Sequence, residues 1–255
     1  MVGGIVDADV ATYCLRLGDD ALVLSQRLAE WSARSPQLEE DVALMNVALD
    51  LLGQARNLLT LAGDREGQGR SEDDLAMLRE ETDFLNAQIV ELENGDFGRT
   101  MARQLLVAAY SLPLWQALTS STDADLAGIA GKAVKEVEYH LDHARSWVVR
   151  LGDGTEESHR RVQQGLDDVW PYTCELFETD GVLQRLVERG VAADPAAIEP
   201  RWRATVDDAL AEATLTVPET SWRPTGGRRG RHTEALGYLL AEMQHLHRSH
   251  PGARW

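Results

Sequence analysis

Apolar residues recur at helical spacing from one end of the chain to the other, and no run shows the period-two alternation of a half-buried strand. The pattern predicts four long helices at about 7–33, 37–62, 97–120 and 125–151, then shorter ones at 155–178, 182–190, 196–213 and 232–249. One more helix starts at Ser71, where an acidic first turn follows a capping residue, and ends near Glu91. Ser35-Pro36 breaks the first pair, and Gly63 to Arg70 reads as an exposed loop. Asn94-Gly95-Asp96 and Gly152-Asp153-Gly154 are turns, with Thr155 capping the helix after the second. Without an internal repeat or a clear linker, one all-α domain over residues 1–255 is expected.

The stretch Glu39 to Leu61 is apolar on two sides. Val42, Met45, Leu49, Leu52 and Leu59 line one, and Leu44, Val47, Leu51 and Leu58 line the other. That pattern predicts a central helix packed by several neighbours. Its polar stripe is Asn46, Asp50, Gly53 and Asn57, spaced to share one face. A second polar face follows from Glu136, His140, His143 and Trp147, with Tyr139 beside it. In the last helix Leu236, Leu239, Leu240, Met243 and Leu246 are expected to pack inward.

Charge narrows the function. The chain has 255 residues and a formal charge of −17, which argues against nucleic acid or an anionic membrane as main partner. No apolar run approaches the length of about 18 residues that a spanning helix needs, so a soluble cytoplasmic protein is expected. Cys14 and Cys174 are far apart and form no CxxC pair, which suits two reduced cysteines.

Paired polar faces in a helical bundle raise the question of a metal. Di-iron carboxylate bundles draw one Glu from each of two helices and a Glu-x-x-His pair from each of two others. Against that pattern Asp50 is followed by Gly53 where a His belongs, and Glu136 by Tyr139. The first and third long helices supply no inward Glu; Asp20 is the nearest carboxylate in the first. Glu136, His140 and His143 could hold one zinc-like ion, but a hydrogen-bonded buried cluster is the better reading. Glu156/His159 and Glu242/His245 repeat the Glu-x-x-His spacing on charged helices, where it arises by chance. No nucleophile elbow, Walker loop or dinucleotide motif is present. Arg228, Arg229 and Arg231 form the concentrated basic patch, in an irregular segment from Thr214 to Arg231. They would meet either the phosphates of a ligand such as coenzyme A or acidic groups on this chain or a partner.

Three blocks carry a resemblance: LRLGDDALVLSQRLAEWSARSPQLEEDVALMNVALDLLGQARNLL, EVEYHLDHARSWVVRLGDGTEESHRR and RHTEALGYLLAEMQHLHRSHPGARW. In colinear order they resemble the C-subunit family of the bacterial phenylacetyl-coenzyme A 1,2-epoxidases, multicomponent monooxygenases of phenylacetate degradation. The resemblance implies a ferritin-like helical bundle with additional C-terminal helices and a structural, non-catalytic subunit. It implies a homologous A subunit as partner, carrying the di-iron centre and binding the acyl-coenzyme A. A reductase subunit with flavin and an iron–sulfur cluster would deliver electrons from NADPH. No catalytic or metal-binding residue is implied for this chain, which agrees with the eroded positions Asp50, Gly53, Glu136 and Tyr139. The rival expectations are an independent di-iron oxidase or oxygenase using Asp50, Glu136, His140 and His143, and a ferritin-like storage protein.

Overall fold

The computed structural model describes residues 2–253, with side chains from Asp7 onward. Ten α-helices carry the described residues, and no strand occurs among them. The fold is all-α and ferritin-like, with additional C-terminal helices. By contact density the chain forms two compact units, Met1–Glu93 with Gly226–Trp255, and Asn94–Thr225.

The first unit is built on α1 (Val2–Ala29) and α2 (Leu38–Glu66), which run antiparallel through a short connection. Leu17, Leu24 and Leu28 of α1 and Leu44, Val47, Leu51 and Leu58 of α2 are buried. Gly18 permits the close approach: a Cβ there would stand 3.0 Å from Leu59 Cδ2. Lower along the pair, the Ser25 hydroxyl donates to the Ala48 carbonyl at 2.7 Å. The stretch expected to loop out after residue 62 is instead the last turn of α2. Gly63 is buried there, so close to the Arg70 carbonyl (2.3 Å from an added Cβ) that only glycine fits, and Gly67 ends the helix at φ +68°.

The helix expected from Ser71 to Glu91 is broken. A Ser71–Asp74 capping box starts α3 (Glu72–Met77), a 3-10 turn follows at Glu81–Asp83, and α4 (Gln88–Glu91) is a single turn. The physical reason lies in α1. Asp19 and Asp20 take donors that a continuous helix would have kept for itself. Asp19 accepts from the Leu85 N–H at 2.8 Å and pairs with the Arg79 guanidinium, while Asp20 accepts from the Ala87 N–H at 2.7 Å. Against these segments packs α10 (Glu234–Ser249), which buries Leu236, Leu239 and Leu240 and donates from Gln244 to the Ala76 and Arg79 carbonyls. Leu246, expected inward, is 54% exposed, because Gln244 rather than Leu246 faces α3.

The second unit pairs α5 (Phe97–Leu118) with α6 (Ala124–Gly152) and adds α7 (Glu156–Val169), α8 (Gly181–Glu188) and α9 (Pro195–Glu212). Side-chain caps at Asp96, Asp123, Thr155, Asp180 and Asp194 start α5 to α9. Gly98 and Gly165 let α5 and α7 touch backbone to backbone, since a Cβ on Gly165 would lie 2.4 Å from Arg99 Cα. The segment expected to stay α-helical to residue 178 tightens at Trp170–Phe177 into a 3-10 helix, where Pro171 has no N–H to give. Trp202 of α9 is 1% exposed and anchors this corner. Its indole donates to the Leu106 carbonyl at 2.9 Å and meets the Trp170 and Phe177 rings.

Asp19→Ala leaves the buried Arg79 guanidinium without its carboxylate, and loss of one member of a buried pair costs about 3–5 kcal/mol. A drop of that size in chemical denaturation is the expected outcome, against less than about 1 kcal/mol for the exposed pair partner Glu80→Ala.

Candidate functional site

The polar stripe of α2 is a surface feature. Asn46 and Asn57 are exposed, Asp50 and Gly53 are half-buried, and a Cβ built on Gly53 meets nothing within 4 Å. Leu38, Val42 and Leu49 are 76%, 54% and 64% exposed. The expectation of neighbours on several sides is therefore corrected. Among the described residues α2 packs chiefly against α1; of its second apolar stripe Leu59 is buried, Met45 and Leu52 are half-buried, and Val42 and Leu49 are left exposed.

The face on α6 is more protected. His140 is buried, His143 and Trp147 are half-buried, and the Glu136 side chain is 15% exposed with Lys132 Nζ 3.4 Å away. Tyr139, 46% exposed, sets its ring 6.4 Å from that of His140 and 6.0 Å from that of His143. Glu136 and His143 are seven residues apart, about 10 Å along a helix axis, so a metal needs donors from elsewhere to close a coordination sphere. Among the described residues, no group of three or more His, Cys, Asp or Glu side chains is arranged to hold a metal ion. The residues present do not fit a di-iron centre. Of the other Glu-x-x-His spacings, Glu156 is exposed while His159 bonds the Gly152 carbonyl at 2.7 Å, and Glu242 and His245 are both exposed.

The basic segment is tied into the first unit. Arg228 forks onto Asp20, at 3.0 and 2.7 Å, and also donates to the Arg16 and Leu85 carbonyls at 3.1 Å. Of the two readings of the patch, pairing with an acidic group of this chain describes Arg228. Burial pushes the Asp20 carboxyl up, while Arg228 and the Ala87 N–H pull it down; the net direction is upward. Arg229 and Arg231 are exposed. The backbone between them turns at Gly230, φ +71°, where the Thr82 carbonyl leaves room for no side chain.

Sequence reasoning missed the companions of Asp20. Asp19 is fully buried, as are the side chains of Glu91 and His232, which face each other at 2.7 Å. Two adjacent acids inside the apolar run LRLGDDALVL, and a Glu closing the run Ile89-Val90, were the available signals. The second unit has cavities of about 320 and 330 Å³. The first is lined by Arg99, Arg160, Arg161 and two aspartates, the second by Trp170, Cys174, Trp202 and Arg203; none of the α6 candidates lines either. Both cysteines are free thiols, and burial pushes that of Cys174 up, away from the reactive thiolate.

Since Gly53 faces open space in a helix, Gly53→Ala is expected to raise thermal stability by about 0.5–1 kcal/mol through backbone entropy. A loss of stability would show that the position is packed.

The chain is 48% identical over 246 residues, 96% of its own length and 99% of the relative's, to the Escherichia coli (strain K12) protein named as the C-subunit of 1,2-phenylacetyl-CoA epoxidase. Residues 6–255 match the family described as phenylacetic acid catabolic protein. With a helical chain colinear over nearly its whole length, this protein belongs to the phenylacetic acid catabolic protein family.

Proposed function

We propose that this chain is the scaffold subunit of a multicomponent monooxygenase that epoxidises the ring of phenylacetyl-coenzyme A in aerobic phenylacetate catabolism. It pairs with and stabilises a homologous catalytic A subunit. In this reading residues 1–255 act as one ferritin-like domain in the cytoplasm, without a catalytic residue or cofactor of its own. The A subunit holds the di-iron centre, and a reductase subunit with flavin and an iron–sulfur cluster supplies electrons from NADPH. The relative's name, a lettered subunit of an epoxidase, supports the assignment to an assembly.

The observation that carries the scaffold role is the uncovered stripe of α2. Leu38, Val42 and Leu49 follow helical spacing, stand more than half exposed, and are joined by half-buried Met45 and Leu52. A contiguous apolar row on a long helix fits another helix laid along it. Asn46 and Asp50 beside the row supply a polar margin, as interfaces with apolar centres and polar rims require. Of the basic patch, Arg229 and Arg231 are the candidates for contact with the partner or with coenzyme A phosphates, Arg228 being committed to Asp20.

Metal content by mass spectrometry, on the chain alone and co-purified with the A subunit, tests the division of labour. Iron in the complex and none in the isolated chain is expected; two irons per isolated chain would overturn the reading. Val42→Asp together with Leu49→Asp puts two carboxylates into the proposed contact. The pair is expected to weaken association with the A subunit at least tenfold, about 1.4 kcal/mol or more, while the helical circular dichroism of the free chain is unchanged.

A further inference from the structure

His232 is held between two acceptors. Its Nδ1 lies 2.7 Å from Glu91 Oε2 and its Nε2 lies 2.9 Å from the Phe84 carbonyl oxygen. A neutral imidazole has one N–H, so beside an ionised Glu91, whose two oxygens already accept from Asn86 and Thr233, either tautomer leaves one of these contacts as lone pair against lone pair. Both side chains are fully buried, so water cannot supply the missing donor. Glu91 has no spare role either: it also accepts from Asn86 Nδ2 at 2.8 Å and from the Thr233 N–H.

We infer that His232 is the imidazolium half of a buried ion pair, and that its second proton is a latch holding the Gly226–Thr233 segment and the start of α10 onto residues 84–91. The latch joins parts of the chain that are 141 residues apart. The other charged groups around it are accounted for. Glu81 of the 3-10 turn adds negative potential at the ring. Arg27 of α1 donates to the Glu91 and Ala235 carbonyls and pairs with Glu30, bracing the same junction from the opposite side. Arg228 and Asp20 neutralise each other.

Burial is the largest influence on the imidazole and pushes its pKa down. The Glu91 hydrogen bond and charge, the Phe84 carbonyl and Glu81 together outweigh it, and the pKa ends above the usual 6.5. A folded-state pKa raised in this way gives stability that is complete below the unfolded value and is lost as pH rises through the folded value. Between those two values the latched-to-open ratio falls about tenfold per pH unit, and above the folded value it levels off.

The inference concerns the chain itself and is independent of the partner proposed above, so the purified full chain suffices to test it. Nitrogen-15 spectra of its histidines, assigned with His232→Gln, report ring protonation. Amide protection over residues 226–240, taken relative to the base-catalysed intrinsic exchange at each pH, reports the latch, and both are followed from about pH 6 to about pH 10. The expected result is a doubly protonated His232 ring at neutral pH, with deprotonation and loss of amide protection sharing one midpoint. Glu91→Gln should bring that midpoint down. A neutral tautomer at neutral pH overturns the inference, and so does deprotonation without any change in amide protection. Should Glu91→Gln fail to fold, the titration of the unmodified chain decides alone.

Discussion

A carboxylate withdrawn from water must be met by donors, and Asp19, Asp20 and Glu91 impose that demand at the centre of the first unit. Each is answered by a cation and by backbone N–H groups: Arg79 and Leu85, Arg228 and Ala87, His232 and Thr233. The path of the chain follows from these bonds. The segment between α3 and α4 abandons helix to deliver its amides to α1, and the C-terminal segment returns to deliver Arg228 and His232. Such pairs add little net stability relative to a well-packed apolar core, but leaving one member unanswered is costly. They therefore act mainly to exclude other arrangements of these loops.

The positions where a di-iron bundle would place ligands are a different case. On α2 and α6 the polar residues share faces as their spacing requires, yet the chemistry has no focus. Gly53 opens onto empty space, Asn46 and Asn57 point to solvent, and Glu136 turns to Lys132. In the first unit, Asp19 on α1 and Glu91 on α4 are fully buried charges, and they tie loops rather than ligands. In the proposed scaffold role the exposed row of Leu38, Val42 and Leu49 on α2 would be the face offered to a partner.

Much of this was legible in the sequence. Ser71, Thr155 and the turn at Gly95 marked helix starts because capping is local: a side chain within three residues of the N–H it serves. The erosion of the Glu-x-x-His pattern was equally plain, since it depends on residue identity at fixed spacing. Two of the misreadings were non-local. Helical periodicity continued through residues 78 to 87, where Asp19 and Asp20 capture the donors; the C-terminal row counted Leu246 inward, where Gln244 takes the inner place.

The sequence alone determined the all-α class and the helix register, because period and caps act within a few residues. Only the tertiary structure decided which of the two apolar stripes of α2 is buried, which arginine of the basic patch is internal, and that Glu91 meets His232. The first depends on which face α1 covers, and the other two on groups more than a hundred residues apart, so no local pattern encodes which will meet.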